Sequence, residues 1–533
     1  MASVEPASPE GVEKRMKAPD RSVVRMIPRL VFVGMITIVF VISFSRAMNR
    51  SFNHDEHQFV TPAALLIQGG LLPYSDYPYF HTPNQVYLYA ALTWWTPYKL
   101  LAARTIQVLC GTAIAALLCA TAWRLLGRMD PLGRWLIAGG LLLVLISSRV
   151  FKHTNGLAWN HETSTLCALA ALLLHLRGLS GLRPTSFALS GLLLGCAIGI
   201  RVTFAPVAVP FLLSFWLSRS PVRRGQRLGG LLLWSLGMTV GVLPAIVPLL
   251  TLPSQFIFGI LGYPRLTALV HLKSVKVTLL DKIVYFLHKL VDQQADAALL
   301  LLFLYCATFA AWRAKAWSGP HGGAILLTLG VLIALVPGVL APTPPQVQYA
   351  YPLLPFMVLV IVYVLASAPV QPAARWVRLT GAALIIVVAT DLPVSYQRLT
   401  SLLTPGRWTP MREHEVGKRI TSATGLGALV LTTTPIQPIE GGLRVYPEFA
   451  TGAFAWRMAP FLPPKDRERY GMISAAELGE LLAGRPPDAI FFKRQKDFVQ
   501  PFIDYAETRG YRRVDDPISG GYAIWVRPGL HPP

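Results

Sequence analysis

The feature that most constrains this chain is a series of roughly 20-residue apolar runs, each long enough to cross about 30 Å of hydrocarbon. They fall near 30–48, 104–124, 133–150, 163–178, 186–202, 203–218, 228–251, 297–312, 321–340, 350–368 and 376–393. Eleven crossings by helices, followed by a domain of different texture, predict a polytopic α-helical membrane protein. Composition agrees: charged residues make up 14% of the chain, against about 25% in soluble domains. The five cysteines lie inside apolar runs and read as packing thiols, not a disulfide framework. The net charge of +22 divides into +18 before residue 394 and +4 after it. It therefore sits between spans, where it sets topology, and does not indicate a nucleic-acid partner.

The basic tail at 1–29 carries Lys14, Arg15, Lys17, Arg21, Arg25 and Arg29, which places the N-terminus in the cytoplasm. The thirteen-residue stretch 86–98 is short for a crossing. If it does not cross, the Arg clusters at 124–134, 177–183, 219–227, 313–315 and 375–378 all lie inside; if it does, most lie outside. The non-crossing reading predicts a membrane domain over 30–393 with a first outer loop at 49–103. It also puts a C-terminal domain, 394–533, outside the cytoplasm. That domain shows strand-like segments at 428–434, 489–492 and 522–526. A capping-box helix start stands at Ser474, and a helix over 497–509 ends at Gly510, so a small α/β unit is expected.

No carboxylate falls mid-span, which counts against an ion-coupled transporter. Chemistry belongs instead at the outer boundary, where the first loop reads Asn53-His54-Asp55-Glu56-His57-Gln58 and continues to Asp76 and His81. Interfacial anchoring would account for its aromatics. A metal site would use His54, Asp55, Glu56, His57, His81 and His161, although no His-Glu-x-x-His spacing is present. A membrane-adjacent general base is the third reading.

The adjacent Asp55-Glu56 after the first span, followed by Gly70-Leu-Leu-Pro73-Tyr74-Ser-Asp76-Tyr77, resembles the first outer loop of the GT-C membrane glycosyltransferases. The resemblance is to the branch with the protein O-mannosyltransferases and aminoarabinose transferases, and it covers about 30–395. Gly156-Leu-Ala-Trp-Asn-His161-Glu162, Gly199-Ile-Arg201-Val-Thr203 and Pro345-Gln-Val-Gln348-Tyr349 extend it, with Gln348 where many relatives carry Arg.

The resemblance implies inverting transfer of a sugar from a polyprenyl-phosphate carrier to a glycan, lipid or protein acceptor at the outer face. In a bacterial cell that would be the periplasmic side of the inner membrane. A lipid phosphate leaves as a stable anion, so one base and a set of cations suffice, whereas glycoside hydrolysis needs a second, acidic carboxyl. Asp55 matches the family's base. Glu56 would orient the acceptor or Asp55, or be a solvated neighbour. Asp76 is the other carboxylate expected near the sugar. Arg201, Lys152 and Arg265 are the candidates for the phosphate. His81, His161 and Glu162 are expected at the substrate, and Tyr349 at the phosphate or as an interfacial anchor. A divalent cation, Mg²⁺ or Mn²⁺, is compatible with the same chemistry. A flippase of lipid-linked sugars and a non-catalytic scaffold are the alternatives. In the C-terminal domain Glu440, Glu448, Phe454, Trp456 and Arg457 suit either acceptor docking or packing against the first loop.

Overall fold

The computed structural model describes residues 21–181, 183–217, 224–312, 319–367, 399–493, 497–514 and 521–529. Among these, seven helices are long and apolar enough to cross a membrane: Pro28–Asn49, Lys99–Leu125, His161–Gly181, Gly225–Thr251, Gln294–Trp312, Gly322–Leu340 and Val347–Ser367. Three shorter apolar helices, Pro131–Ser147, Pro184–Ile200 and Val202–Leu217, match three further windows. The protein is an integral, polytopic α-helical membrane protein. The eleventh window, 376–393, most of the basic tail and the boundary near 394 lie outside the described residues.

Segment 86–98 forms the ten-residue helix Asn84–Thr93 and ends in Trp94 and Trp95, each 68% exposed. At 1.5 Å per residue this helix spans about 15 Å, half of a hydrocarbon core. Helix His57–Gly69 packs against it, and the two form a short helical layer at one end of the bundle.

Inside the bundle, Pro184–Ile200 and Arg224–Thr251 share a small-residue seam. A Cβ on Gly195 would lie 2.2 Å from the Met238 carbonyl oxygen, and one on Gly237 2.1 Å from that of Ala188. Backbones approach this closely only where the side chain is absent, which is how helices associate without a hydrophobic drive between them. The long segment 252–296 is helical too. It holds Pro253–Ile257, a π turn at Phe258–Gly262, Tyr263–Ser274, and Leu279–Val291, which begins with a Thr278/Asp281 capping box. Lys282 Nζ donates to the Leu340 and Ala341 carbonyls at 2.9 and 3.0 Å, tying that last helix to the C-terminus of Gly322–Leu340.

The C-terminal region is a five-stranded sheet of β1 (Leu429–Thr432), β2 (Arg444–Val445), β3 (Ala489–Lys493), β4 (Arg512–Val514) and β5 (Tyr522–Val526), in the order β2-β1-β3-β5-β4. β1 runs parallel to β2 and β3, and β5 antiparallel to β3 and β4. The Ser474 capping box is present, and Gly510 has φ +70° just after helix Gln500–Thr508. β2 and β4 were not expected from sequence: two or three residues are too few to show alternation.

This domain is docked on the loop helices by polar and aromatic contacts. Buried Glu440 accepts from the Leu100 backbone N–H at 2.7 Å and pairs with His414 Nδ1 at 2.7 Å, while the His414 ring lies 4.2 Å from that of Tyr98. Phe258 stacks on Tyr470 at 3.9 Å. The aromatic stretch is therefore packing material in large part: Trp456 lies in the domain core against Phe502, and Phe454 faces the first loop. Glu448 pairs with Arg485 within the domain.

Candidate active site

The first loop turns sharply after Pro28–Asn49. The Asn53 side chain accepts the Asp55 N–H at 2.9 Å, and the Glu56 carboxylate accepts the Asn53 N–H at 3.0 Å, closing a capping box over His54–Glu56. The two neighbouring acids then part company. Glu56 has no exposed surface and is gripped by Arg104, with Nε to Oε1 at 2.8 Å and Nη2 to Oε2 at 2.7 Å; it also accepts the Ala158 N–H at 2.9 Å. Arg104, equally buried, donates to the Ala47 and Arg50 carbonyls at 2.8 and 2.9 Å. Three separate parts of the chain meet on this one ion pair. Glu56 therefore serves as an internal fastener and does not face the cleft as an orienting group.

Asp55 points the other way. Its side chain is 27% exposed, and among the described residues its carboxylate has one polar partner, His54 Nε2 at 3.2 Å. Burial raises its pKa above the usual carboxylate value, the neighbouring His54 lowers it, and Glu56 raises it. The Asp55 charge reaches the hydroxyls of Tyr349 and Tyr263.

Arg201 lies in the extended break between Pro184–Ile200 and Val202–Leu217. Its Nη1 donates to Asn160 Oδ1 at 3.1 Å and to the His161 ring at 3.0 Å, and its Nε to Thr203 Oγ1 at 3.2 Å. The guanidinium sits 5.6 Å from the Tyr349 ring centroid, and His161 6.2 Å from the same ring. Among the described residues no carboxylate pairs with Arg201, and its Nη2 has no protein partner. His81 joins from the loop: it pairs with Gln58 Oε1 at 3.0 Å, and burial, with Arg201 nearby, pushes its pKa down to about 3. The imidazole is neutral there and can exchange hydrogen bonds with an uncharged hydroxyl.

Asp55, His81, His161, Arg201 and Tyr349 are thus brought together from four parts of the sequence. The other expected residues are placed elsewhere. Asp76 is exposed and closes its own turn by accepting the Leu72 N–H at 2.6 Å. Glu162 is fully buried and accepts the Gly156 N–H at 2.9 Å, so it holds the start of its helix. Arg265 is exposed on Tyr263–Ser274 with no contact to the cluster. Lys152 lies on helix Arg149–Thr154, where its charge reaches Asp296; Arg50 donates to its carbonyl at 2.9 Å and pairs with His153 Nδ1 at 2.9 Å. Gln348 is buried near His153.

Arg104, Asn160 and Tyr263 were not singled out from sequence as site residues, and His54 only as a candidate metal ligand. Arg104 had a signal, a lone cation at the start of an apolar window; the Tyr263 position had none. Among the described residues no three His, Cys, Asp or Glu side chains converge as metal ligands.

No protein-family model and no characterised protein matches the chain by sequence. Structural similarity is extensive. ArnT from Cupriavidus metallidurans bound to undecaprenyl phosphate superposes with a TM-score of 0.60 at 14% identity, covering 95% of this chain and 99% of that one. The apo form of the same protein gives 0.56 at 13% identity over 94% and 98%. The Archaeoglobus fulgidus oligosaccharyltransferase with Zn and sulfate gives 0.48 at 11% identity over 86% and 68%. The likeness to ArnT spans membrane bundle and C-terminal domain alike, so the chain has the GT-C membrane glycosyltransferase fold that its first loop suggested.

Proposed function

We propose that the protein transfers a sugar from a polyprenyl-phosphate carrier to an acceptor hydroxyl at the outer face of a bacterial inner membrane, with its N-terminus cytoplasmic and its C-terminal domain periplasmic. The observation that carries this reading is the separation of roles at Asp55 and Arg201. Asp55 is a partly exposed carboxylate, Arg201 keeps an Nη2 without a protein partner among the described residues, and the charges of both act on Tyr349. The matched ArnT structure contains undecaprenyl phosphate.

In this mechanism the acceptor oxygen attacks the anomeric carbon from the face opposite the phosphate. The new C–O bond forms as the bond to the phosphate oxygen breaks, and the configuration inverts. Asp55 takes the acceptor proton, and the bond electrons leave with the phosphate. Arg201 meets the departing dianion with Nη2, Tyr349 supplies a hydroxyl beside it, and the neutral imidazole of His81 lines the sugar together with His161. No acid is needed, which fits a cleft with one available carboxylate.

The test is transfer from radiolabelled polyprenyl-phosphate mannose, galactose and arabinose in membranes carrying wild type or Asp55→Asn at matched abundance. Loss of the base is expected to slow turnover of the consumed donor ~100-fold or more. An unimpaired Asp55→Asn refutes Asp55 as the base.

A further inference from the structure

We infer that His54 is a positioning residue for Asp55 and that Phe454 of the C-terminal domain clamps it, so that this domain completes the active site. The inference rests on the general-base reading of Asp55 given above.

The His54 side chain is 59% exposed, and an imidazole so placed would ordinarily sample several rotamers. Here its ring is stacked on Phe454, with centroids 5.4 Å apart and planes 24° from parallel. Its Nε2 lies 3.2 Å from Asp55 Oδ1. Phe454 is itself fixed. Its carbonyl accepts the Tyr263 hydroxyl at 3.1 Å, and the Tyr263 ring stacks on Phe80 at 3.6 Å. A continuous line of contacts thus runs from the C-terminal domain through Phe454 and His54 to the carboxylate.

The capping box fixes the backbone of the turn and leaves the Asp55 side chain with His54 as its one polar partner among the described residues. An N–H donated to one carboxylate oxygen leaves the other for the acceptor hydroxyl. The remaining titratable groups facing Asp55 are Glu56 from its own turn, Tyr263 from the helix beneath Phe454 and Tyr349 from the membrane bundle; Arg457 reaches Tyr263. Among the described residues, His54 is the one in direct contact both with the Asp55 carboxylate and with the C-terminal domain.

Two measurements test this. In the donor assay, His54→Ala should lower kcat ~10-fold, as expected when a reacting group loses its orientation, with the donor KM little changed. His54→Gln, whose amide N–H can still donate, should recover most of it. Phe454→Ala should reproduce the kcat loss, and the double variant should be no slower than His54→Ala, because both act through one contact. Additive losses, or a change confined to KM, overturn the inference. Asp55→Asn in the same series separates the two readings: if it is fully active the general base falls, whatever His54 does.

The second measurement needs no substrate. Carbethoxylation by diethyl pyrocarbonate is followed at His54 by mass spectrometry, with exposed His288 as the internal reference. Phe454→Ala should raise the His54 rate relative to His288 several-fold. An unchanged ratio shows that no clamp exists.

Discussion

Asp55 and Glu56 differ by one methylene and stand side by side, yet their surroundings give them opposite work. Glu56 receives four N–H donors and the Arg104 charge in a site closed to solvent; the Asp55 carboxylate has His54 Nε2 at 3.2 Å and is 27% exposed. Matched amide substitutions separate them. Glu56→Gln leaves the Arg104 guanidinium buried without its counter-charge, which costs about 3–5 kcal/mol. It should appear as a lower melting temperature and poor recovery in detergent, while Asp55→Asn melts like wild type and loses turnover. The pH profile belongs at the same scale. In the proposed mechanism the base is the Asp55 carboxylate, and burial raises its pKa above the usual value of 3.8, so activity is expected to be lost as pH falls through that raised value. The acid limb of kcat should therefore lie above that of an ordinary aspartate. His81, held at about 3, remains neutral throughout and contributes no limb between pH 5 and 8. The sequence placed Asp55 and Arg201 through the resemblance and through the cost of a lone arginine in an apolar hairpin. It gave no sign that Glu56 is withdrawn into an ion pair, because the partner that claims Glu56 is 48 positions away.

Glu440 shows the corresponding division among elements. It lies in the short helix Ile436–Glu440, and its carboxylate accepts the N–H of Leu100 in the first turn of Lys99–Leu125. A negative charge there satisfies an orphan donor and meets the positive end of the helix dipole. One turn further along the same helix stands Arg104, which holds the first outer loop through Glu56. Glu440→Gln keeps the shape but removes the charge facing His414. The expected result is faster release of the C-terminal domain by limited proteolysis between 399 and 410, with the membrane bundle intact. Unchanged cleavage would show that the apolar contacts suffice. Elements built from local signals were legible beforehand: the apolar windows, the Ser474 capping box and the Gly510 stop. β2 and β4 were not, since their strand geometry comes from the neighbours they pair with, Leu429 beside Arg444 and Ile524 beside Val514.

Across the whole molecule, topology decides whether the cleft can meet an acceptor. Single cysteines in a background without the five native thiols give a direct reading. Ser75→Cys, in the exposed turn of the first loop, should react with a membrane-impermeant maleimide added outside intact spheroplasts, and Ser180→Cys only after lysis. The reverse pattern would turn the enzyme around and put Asp55 in the cytoplasm. By itself the sequence determined that the chain is polytopic and helical and that a small α/β domain follows. Those properties follow from hydrophobic length and local backbone preference, which act over a few turns of chain. Tertiary structure alone decided which carboxylate is available, that His81, His161 and Tyr349 converge on Arg201, and that Phe454 reaches back about 400 residues to His54. Each of these depends on a hydrogen bond or ring contact between distant segments. Such contacts are set by how the helices and the sheet pack, and no local pattern of residues encodes them.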